Sequence, residues 1–518
     1  MFWQEYSLKK ALQSGLPSES WQAVKNQPFL SSCTNFLVRR EGLAALPTMT
    51  QPTSATKSSQ ATSWPFYQTI PIKAALVEMD DTAIYSLTPG YTYPLTVSGY
   101  TIYDAYDTST PKGITTGGGM WHAADFEESY FLFNNENVLM KTGYSGNLLV
   151  ANDIQITTGC AHRGRLVYGG FDPSAFWKQE WQDIFNAWKE NTLTTFSDIA
   201  GLESNFVMWS NIGMDALLLF YPALYMTGHL SESPNSPGED PYFLNMMRRG
   251  DMGFMALPVR GTVRALYPLG DDKVVAYCDD GVVLLTAYAS PVPTYGARRL
   301  SCPGVYGRSA VVGSKHIHYF ISPDQELWTI TEEGVHRLGY RTQLETTNTT
   351  VYTMSLHPET FDLYISSYNS DAAYNVIYTP GQGMSRTNIP VCAIVSTEAG
   401  TAFRTYTASS SSRSVASLVL DFNSSGLKKV RDIEVLYSQT GTDAITLSLS
   451  WRMDSTASMS SRAMTLTSRG TADFNVDAKE FQVVVSSSNT TLSIQDIIIH
   501  YAAIDKRNKV SPYAFART

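Results

Sequence analysis

A short β-rich run, a polar or glycine-bearing turn and a second β-rich run carrying an aromatic recur through the middle of this 518-residue chain. The cassette reads His122-Ala-Ala-Asp-Phe-Glu-Glu-Ser-Tyr-Phe-Leu-Phe-Asn-Asn-Glu-Asn-Val-Leu-Met140, then Val274-Val-Ala-Tyr-Cys-Asp-Asp-Gly-Val-Val-Leu-Leu285, then Ile317-His-Tyr-Phe-Ile-Ser-Pro-Asp-Gln-Glu-Leu-Trp-Thr-Ile330. β-Branched and aromatic side chains suit a pleated surface, and the Asn, Asp and Gly between them suit tight turns. Hairpins repeated in this way predict a β-propeller, a radial array of small antiparallel sheets.

A further cassette combines Thr349-Thr-Val-Tyr-Thr-Met-Ser-Leu356, Asp362-Leu-Tyr-Ile-Ser366 and Asn375-Val-Ile-Tyr378. Four-stranded blades repeat at about 40 to 45 residues. The later half of the chain follows that period and predicts five or six blades. Hydrophobic residues make up 43% of the chain and aromatics 12%, enough for packed cores. Charged residues make up 16%, below the ~25% usual in soluble domains, so Ser, Thr, Asn and Gln must supply much of the polar surface.

The propeller cassettes do not fill the chain. Residues 1–63 read as an N-terminal segment with a helix around Tyr6 to Gln13, a brief alternation over Asn35-Phe-Leu-Val-Arg-Arg-Glu-Gly-Leu43 that turns at Gly42, and an arm over Thr48 to Ser63 rich in Thr, Ser, Gln and Pro. Residues 64–171 hold the first blades. Within residues 172–258, Trp177, Trp181, Phe185 and Trp188 are spaced four, four and three apart, which lines one helical face and predicts a helical insertion. An aromatic helical face is what a helix ordinarily buries, so the stripe reads as core. Residues 259–398 carry the remaining blades. After the serines Ser409 to Ser412, the runs Asp432–Tyr437, Ala444–Trp451, Phe481–Val485 and Ile494–Tyr501 alternate between polar turns, and they predict a C-terminal β-sandwich over residues 399–518.

Charge narrows the function classes. A net charge of −9 argues against a surface built to neutralise phosphates, although it is compatible with an acidic channel through which DNA slides. Cys33, Cys160, Cys278, Cys302 and Cys392 are scattered without CxxC spacing and read as reduced, mostly buried thiols. The first ten residues lack the apolar core of a signal peptide, and Met214 to Met226 is too short, with Asp215 and Pro222, for a membrane span.

The sequence assigns no catalytic, cofactor-binding or metal-ligating residue. His316 and His318 alternate on an expected strand, but no acidic or Cys ligands accompany them. His162-Arg163-Gly164-Arg165 offers two guanidiniums to an anion, against the structural reading in which they tie neighbouring elements together. Gly117-Gly-Gly119 lacks the Lys-Ser/Thr of a phosphate loop and reads as a turn, and no GxSxG is present.

Two resemblances follow from particular residues. Ser322-Pro-Asp-Gln-Glu-Leu-Trp328 resembles the Asp-box turn of sialidase-type propellers, Ser-x-Asp-x-Gly-x-x-Trp, with Glu326 in place of Gly and Trp328 one residue early. In that family the box is a structural hairpin remote from the catalytic centre, so the likeness implies blade geometry. The segment Asn35 to Leu43, the pieces Gly159-Cys-Ala-His-Arg-Gly-Arg-Leu-Val-Tyr-Gly-Gly170 and Glu326-Leu-Trp-Thr-Ile-Thr-Glu-Glu-Gly-Val-His-Arg-Leu-Gly-Tyr340, and Ile504-Asp-Lys-Arg507 together resemble the propeller-bearing tail nozzle proteins of short-tailed bacteriophages.

That resemblance implies a virion protein without an enzymatic step. It would be a ring of six copies below an adaptor and portal, in company with tail fibre proteins, assembled in the host cytoplasm. The ring would channel and retain DNA without reading its sequence and take part in genome ejection. No cofactor is implied. The competing expectation is a receptor- or glycan-binding tail module, with a propeller glycosidase as a more distant alternative.

Overall fold

Along Ile445–Arg452 the side chains of Ile445, Leu447 and Leu449 are buried while Thr446 and Ser448 are half-buried, the period of two that a strand with one covered face requires. Along Lys273–Cys278 the pattern differs, because five successive residues from Val274 to Cys278 are buried. Val274, Ala276 and Cys278 pack into one core, and Val275 and Tyr277 pack into another on the opposite face. A near-continuous apolar run is what a strand covered on both faces needs. These two patterns divide the molecule.

The computed structural model describes residues 3–19, 25–47, 49, strand segments between 68 and 151, and residues 156–171, 203–210, 253–288, 294–345, 352–367, 375–397, 400–405 and 412–504. It is mainly β. Among the described residues, helix is confined to Lys9–Ser14, Arg341–Glu345 and a 3-10 turn at Glu203–Asn205.

Three antiparallel sheets each hold four strands in sequence order. The first comprises Ile156–His162, Arg165–Phe171, Phe206–Trp209 and Gly253–Ala256. The second comprises Val263–Leu269, Lys273–Cys278, Gly281–Tyr288 and Thr294–Arg299, and the third Val311–Gly313, Ile317–Ile321, Leu327–Thr331 and Gly334–Gly339. A fourth such set, Tyr352–Leu356, Leu363–Ser367, Asn375–Thr379 and Gly383–Thr387, forms one end of a nine-stranded sheet. Earlier in the chain, His122–Phe126, Ser129–Phe133, Val138–Thr142 and Leu148–Ala151 pair likewise, and Ile102–Asp104 joins the last of them in parallel. Gln68–Ile72 begins a three-stranded sheet and Val391–Thr397 a two-stranded one.

The first strands of these sheets touch in order. His122–Phe126 lies against Ile156–His162, which lies against Val263–Leu269, then Val311–Gly313, then Tyr352–Leu356, then Val391–Thr397. Both Val391–Thr397 and His122–Phe126 contact Gln68–Ile72. Neighbouring sheets share cores, as where Tyr319 and Ile321 meet Tyr352, Ile365 and Tyr378.

The C-terminal strands build a different body. Lys428–Ser438 pairs with Thr471–Ala478 on one side and Ser493–Ala503 on the other, and Ile445–Arg452 pairs with Glu480–Ser487. The two sheets enclose one core in which Val430, Ile433, Phe474 and Ile499 meet Leu447, Leu449, Phe481 and Val485. The four strands expected between Asp432 and Tyr501 are all present, three of them longer than expected and Ile445–Arg452 shifted on by one residue.

N-terminal residues complete this body. Gln4–Ser7 pairs with Ser493–Ala503, and Leu30–Thr34 pairs with Arg413–Ser417. The hairpin Phe36–Arg39 with Gly42–Ala45 joins the same layer as Ser493–Ala503. Leu30, Phe36, Val38 and Leu43 are core residues there, so the unit expected over residues 399–518 is not closed by those residues alone. The helix expected from Tyr6 begins instead at Lys9, because Tyr6 is drawn into the strand and packs edge-on against Phe422 at 5.2 Å. Leu30–Thr34 also touches Gly383–Thr387 through Thr34 and Arg386, which makes the nine-stranded sheet continuous between the two bodies.

Within the stretch read as a helical insertion, Phe206–Trp209 and Gly253–Ala256 are strands that complete the first four-stranded sheet. The Trp177 to Trp188 stripe lies outside the described residues, as do the Thr48 to Ser63 arm apart from Met49, Gly117 to Gly119 and Met214 to Met226.

Candidate functional site

The first and second strands of successive sheets, with one linking segment, bring a polar cluster together. His318, on Ile317–Ile321, is fully buried and bonded at both ring nitrogens. Its Nε2 lies 2.9 Å from the Pro268 carbonyl oxygen and its Nδ1 lies 2.9 Å from the Tyr277 hydroxyl. A carbonyl only accepts, so Nε2 carries the proton and Nδ1 accepts from Tyr277. Burial pushes the His318 pKa down to about 4, against the opposing pull of the Pro268 and Ser314 backbone, and the ring is neutral at pH 7.

Tyr267 connects this pair to a second histidine. Its ring lies 5.8 Å from His318 and 5.1 Å, edge-on, from His122. His122 Nδ1 lies 2.9 Å from Thr158 Oγ1, which also accepts the Leu266 amide at 3.0 Å. Burial, and then the Arg308 charge, hold the His122 pKa down at about 3.

Arg308 is the charged member. It lies in the segment linking Thr294–Arg299 to Val311–Gly313 and donates from Nη2 to the Phe133 carbonyl, 175 residues away and three sheets back from the sheet it leads into. Its Nε is sealed from solvent and has no acceptor. Burial pushes its pKa down to about 9, with Tyr267 opposing and Arg264 adding to the shift. Among the described residues, no carboxylate acts on it. Arg264 is balanced separately by both oxygens of Asp279, at 2.6 and 3.1 Å. With both histidines neutral, the described residues of the cluster carry one uncompensated positive charge among aromatic and hydroxyl groups. Such a setting holds a single negative charge more readily than it performs acid-base chemistry.

The residues singled out from sequence are placed elsewhere. Arg163 and Gly164, at φ 51° and 70°, form the two-residue turn of the Ile156–His162 and Arg165–Phe171 hairpin, the left-handed pair that such hairpins favour. Arg163 is exposed, whereas Arg165 is buried and donates to the Ser210 carbonyl at 3.0 Å. The two guanidiniums therefore do not converge, and the structural reading describes them. His162 bonds the Tyr295 hydroxyl at 2.8 Å, and its pKa is pushed down to about 4 by burial and then by Arg163. His316 precedes the strand that holds His318 and is exposed beside Phe361, so the expected shared face is not formed.

The turn at Ser322 is a hairpin between Ile317–Ile321 and Leu327–Thr331. Gln325 adopts the left-handed conformation at φ 58°, one residue before the family's glycine position. Glu326 therefore has room for a side chain, which takes both arms of Arg337 at 2.7 and 2.6 Å. Trp328 stacks on Phe320 inside the core. Of the five cysteines, Cys33, Cys160 and Cys278 are buried free thiols and Cys302 is half-buried. Among the described residues, no three His, Cys, Asp or Glu side chains gather as metal ligands, and no helix is long and apolar enough to cross a membrane.

Sequence reasoning missed Arg308, His122, Thr158 and Tyr267 as a group. No spacing rule links them, because the register of four separate sheets brings them together.

No protein-family model matches the chain, and no curated protein does. Solved structures with likeness to it include Hsv2 of Kluyveromyces lactis, at 9% identity over 61% of this chain and 83% of that one, with a TM-score of 0.25. An exo-β-1,3-galactanase from Phanerochaete chrysosporium is similar at 8% identity over 88% and 99%, with a TM-score of 0.28. PorZ, a surface component of the type-IX secretion system of Porphyromonas gingivalis, is similar at 9% identity over 57% of this chain and 35% of that one, with a TM-score of 0.23. The class that the structure itself defines is a mainly β protein of many antiparallel sheets.

Proposed function

We propose that the cycle of touching first strands is a β-propeller of seven units, begun by Gln68–Ile72, His122–Phe126, Ile156–His162, Val263–Leu269, Val311–Gly313, Tyr352–Leu356 and Val391–Thr397. The sequence period alone gave five or six. In this reading the body built from both chain ends is a β-sandwich fused to the propeller.

We further propose that the protein is a structural subunit of a bacteriophage tail, a nozzle-type ring of six copies through which DNA passes. The observation that carries the reading is the hydrogen-bonded join between the two bodies. Asn35 is fully buried in the left-handed conformation at φ 60°, donates to the Ser412 carbonyl at 2.6 Å and accepts from Thr387 Oγ1 at 2.9 Å. Arg39 clamps Asp362 with two arms, and the nine-stranded sheet runs through the join. A closed ring needs a fixed rotation between the two contact surfaces of each subunit, so a hinge between its bodies would prevent closure. A solitary binding module has no such requirement.

Electron microscopy and mass photometry of the purified chain test the reading. Closed rings without affinity on a glycan array support it. A monomer at micromolar concentration that binds glycans replaces it with the receptor-binding module. Deleting residues 50–63 tests whether the arm reaches a neighbour, and unchanged ring formation would remove the arm from the assembly.

A further inference from the structure

We infer that Arg308 is the anchor of a binding site for a small monocarboxylate at the centre of the cycle of sheets. The inference does not depend on the ring reading.

Three observations carry it. The first is position, because Arg308 enters ahead of Val311–Gly313 yet bonds the end of Ser129–Phe133, bridging sheets separated by two others. A side chain that spans such sheets crosses the middle of the cycle. The second is an incomplete set of bonds. Nη2 has the Phe133 carbonyl, Nε is sealed with no acceptor, and among the described residues no carboxylate faces the guanidinium. Removing a guanidinium from water without a counter-charge is costly. Lys428 is better supplied, flanked by the Ser424 and Lys479 carbonyls with Asp421 and Glu480 nearby, whereas Arg413 shares an orphaned Nε but places its other two nitrogens on the Leu492 and Thr490 carbonyls.

The third observation is charge balance, which selects the ligand. His122 and His318 are bonded as neutral rings, Arg264 is satisfied by Asp279, and Tyr267 is a neutral phenol. One monoanion cancels the single charge that remains among the described residues. A phosphate dianion would leave a negative charge in a desolvated site, which the same physics penalises. The planar guanidinium presents parallel N–H groups that match the two oxygens of a carboxylate.

Carbon-13 acetate is the probe, followed by NMR line broadening on the full chain at pH 7.5 and matched ionic strength. The expected result is saturable broadening by the wild-type protein, absent in Arg308→Met and weakened about tenfold in Arg308→Lys, whose ammonium lacks the fork. Inorganic phosphate is expected not to displace acetate, and chloride serves as the non-planar control. Wild-type protein without saturable acetate binding overturns the proposal, as does binding that persists in Arg308→Met. Equal or tighter binding of phosphate overturns the monocarboxylate assignment. If Arg308→Met does not fold, the wild-type titration with phosphate and chloride competition, together with Arg308→Lys, decides the question.

Discussion

Arg39 donates from Nη1 to Asp362 Oδ1 at 2.8 Å and from Nη2 to Asp362 Oδ2 at 2.6 Å, joining an N-terminal hairpin to a turn 323 residues later. Asp362 is 1% exposed, whereas the Arg39 side chain keeps about a third of its surface. The carboxylate thus depends on this partner more than the guanidinium does.

Replacing Arg39 with Ala is expected to destabilise the fold by about 2 to 3 kcal/mol, because it strands a buried carboxylate. The double variant with Asp362→Ala should cost clearly less than the sum of the single changes. Urea unfolding of the four proteins gives the coupling, and an additive result would deny the clamp.

Asn35 combines a left-handed backbone with side-chain bonds to Ser412, Thr387 and Asn388. Both Asn35→Ala and Asn35→Gly lose the bonds, but Ala also meets the left-handed penalty. Asn35→Ala should therefore be the less stable of the two by about 1 kcal/mol. Equal melting temperatures would mean that the backbone relaxes at this position.

Histidine burial sets an acid limit. His122, His162 and His318 have folded pKa values of about 3, 4 and 4, below their ordinary 6.5. Between pH 6.5 and about 4 the unfolded chain takes up protons that the folded chain refuses. Stability is fully present above pH 6.5 and falls through that window, at up to about 1.4 kcal/mol per pH unit for each ring. Urea midpoints from pH 7.5 to 4.5 measure the slope, and His318→Asn should reduce it by one ring's share.

The core of the C-terminal body includes Leu30, Phe36, Val38 and Leu43 from the N-terminal segment. A fragment of residues 412–504 alone is expected to lack a cooperative thermal transition, and residues 1–47 supplied as a separate chain should restore one. Near-ultraviolet circular dichroism follows both. A cooperative fragment would mean that its own strands close the core.

The repeated hairpins were legible because their cause is local. The runs in Lys273–Cys278 and Leu327–Thr331 carry their own apolar pattern and their own turn residues. Strand identity at Gln4–Ser7 was not legible, since the partner that makes Tyr6 a strand residue rather than a helical one is Ile499. Phe206–Trp209 is obscured in a similar way, as a strand of four residues is too short to show a period. The Asp-box-like turn at Ser322 was read correctly as a hairpin, yet its left-handed residue, Gln325, was not foreseen. The polar cluster was the least visible. Arg308 and His122 become neighbours only through the stacking of whole sheets, and composition carries no trace of that.

The pairing of Gln4–Ser7 with Ser493–Ala503, fastened by Ser7 against both oxygens of Asp496, also dictates an order of events during synthesis. The strand Gln4–Ser7 waits for a partner that leaves the ribosome almost 490 residues later. The intervening sheets, whose partners are sequence neighbours, close well before then. The strand Gln4–Ser7, with its unsatisfied amides, and the apolar faces of Leu30, Phe36 and Val38 therefore stay uncovered while the intervening sheets close, until Ser493–Ala503 arrives to cover them.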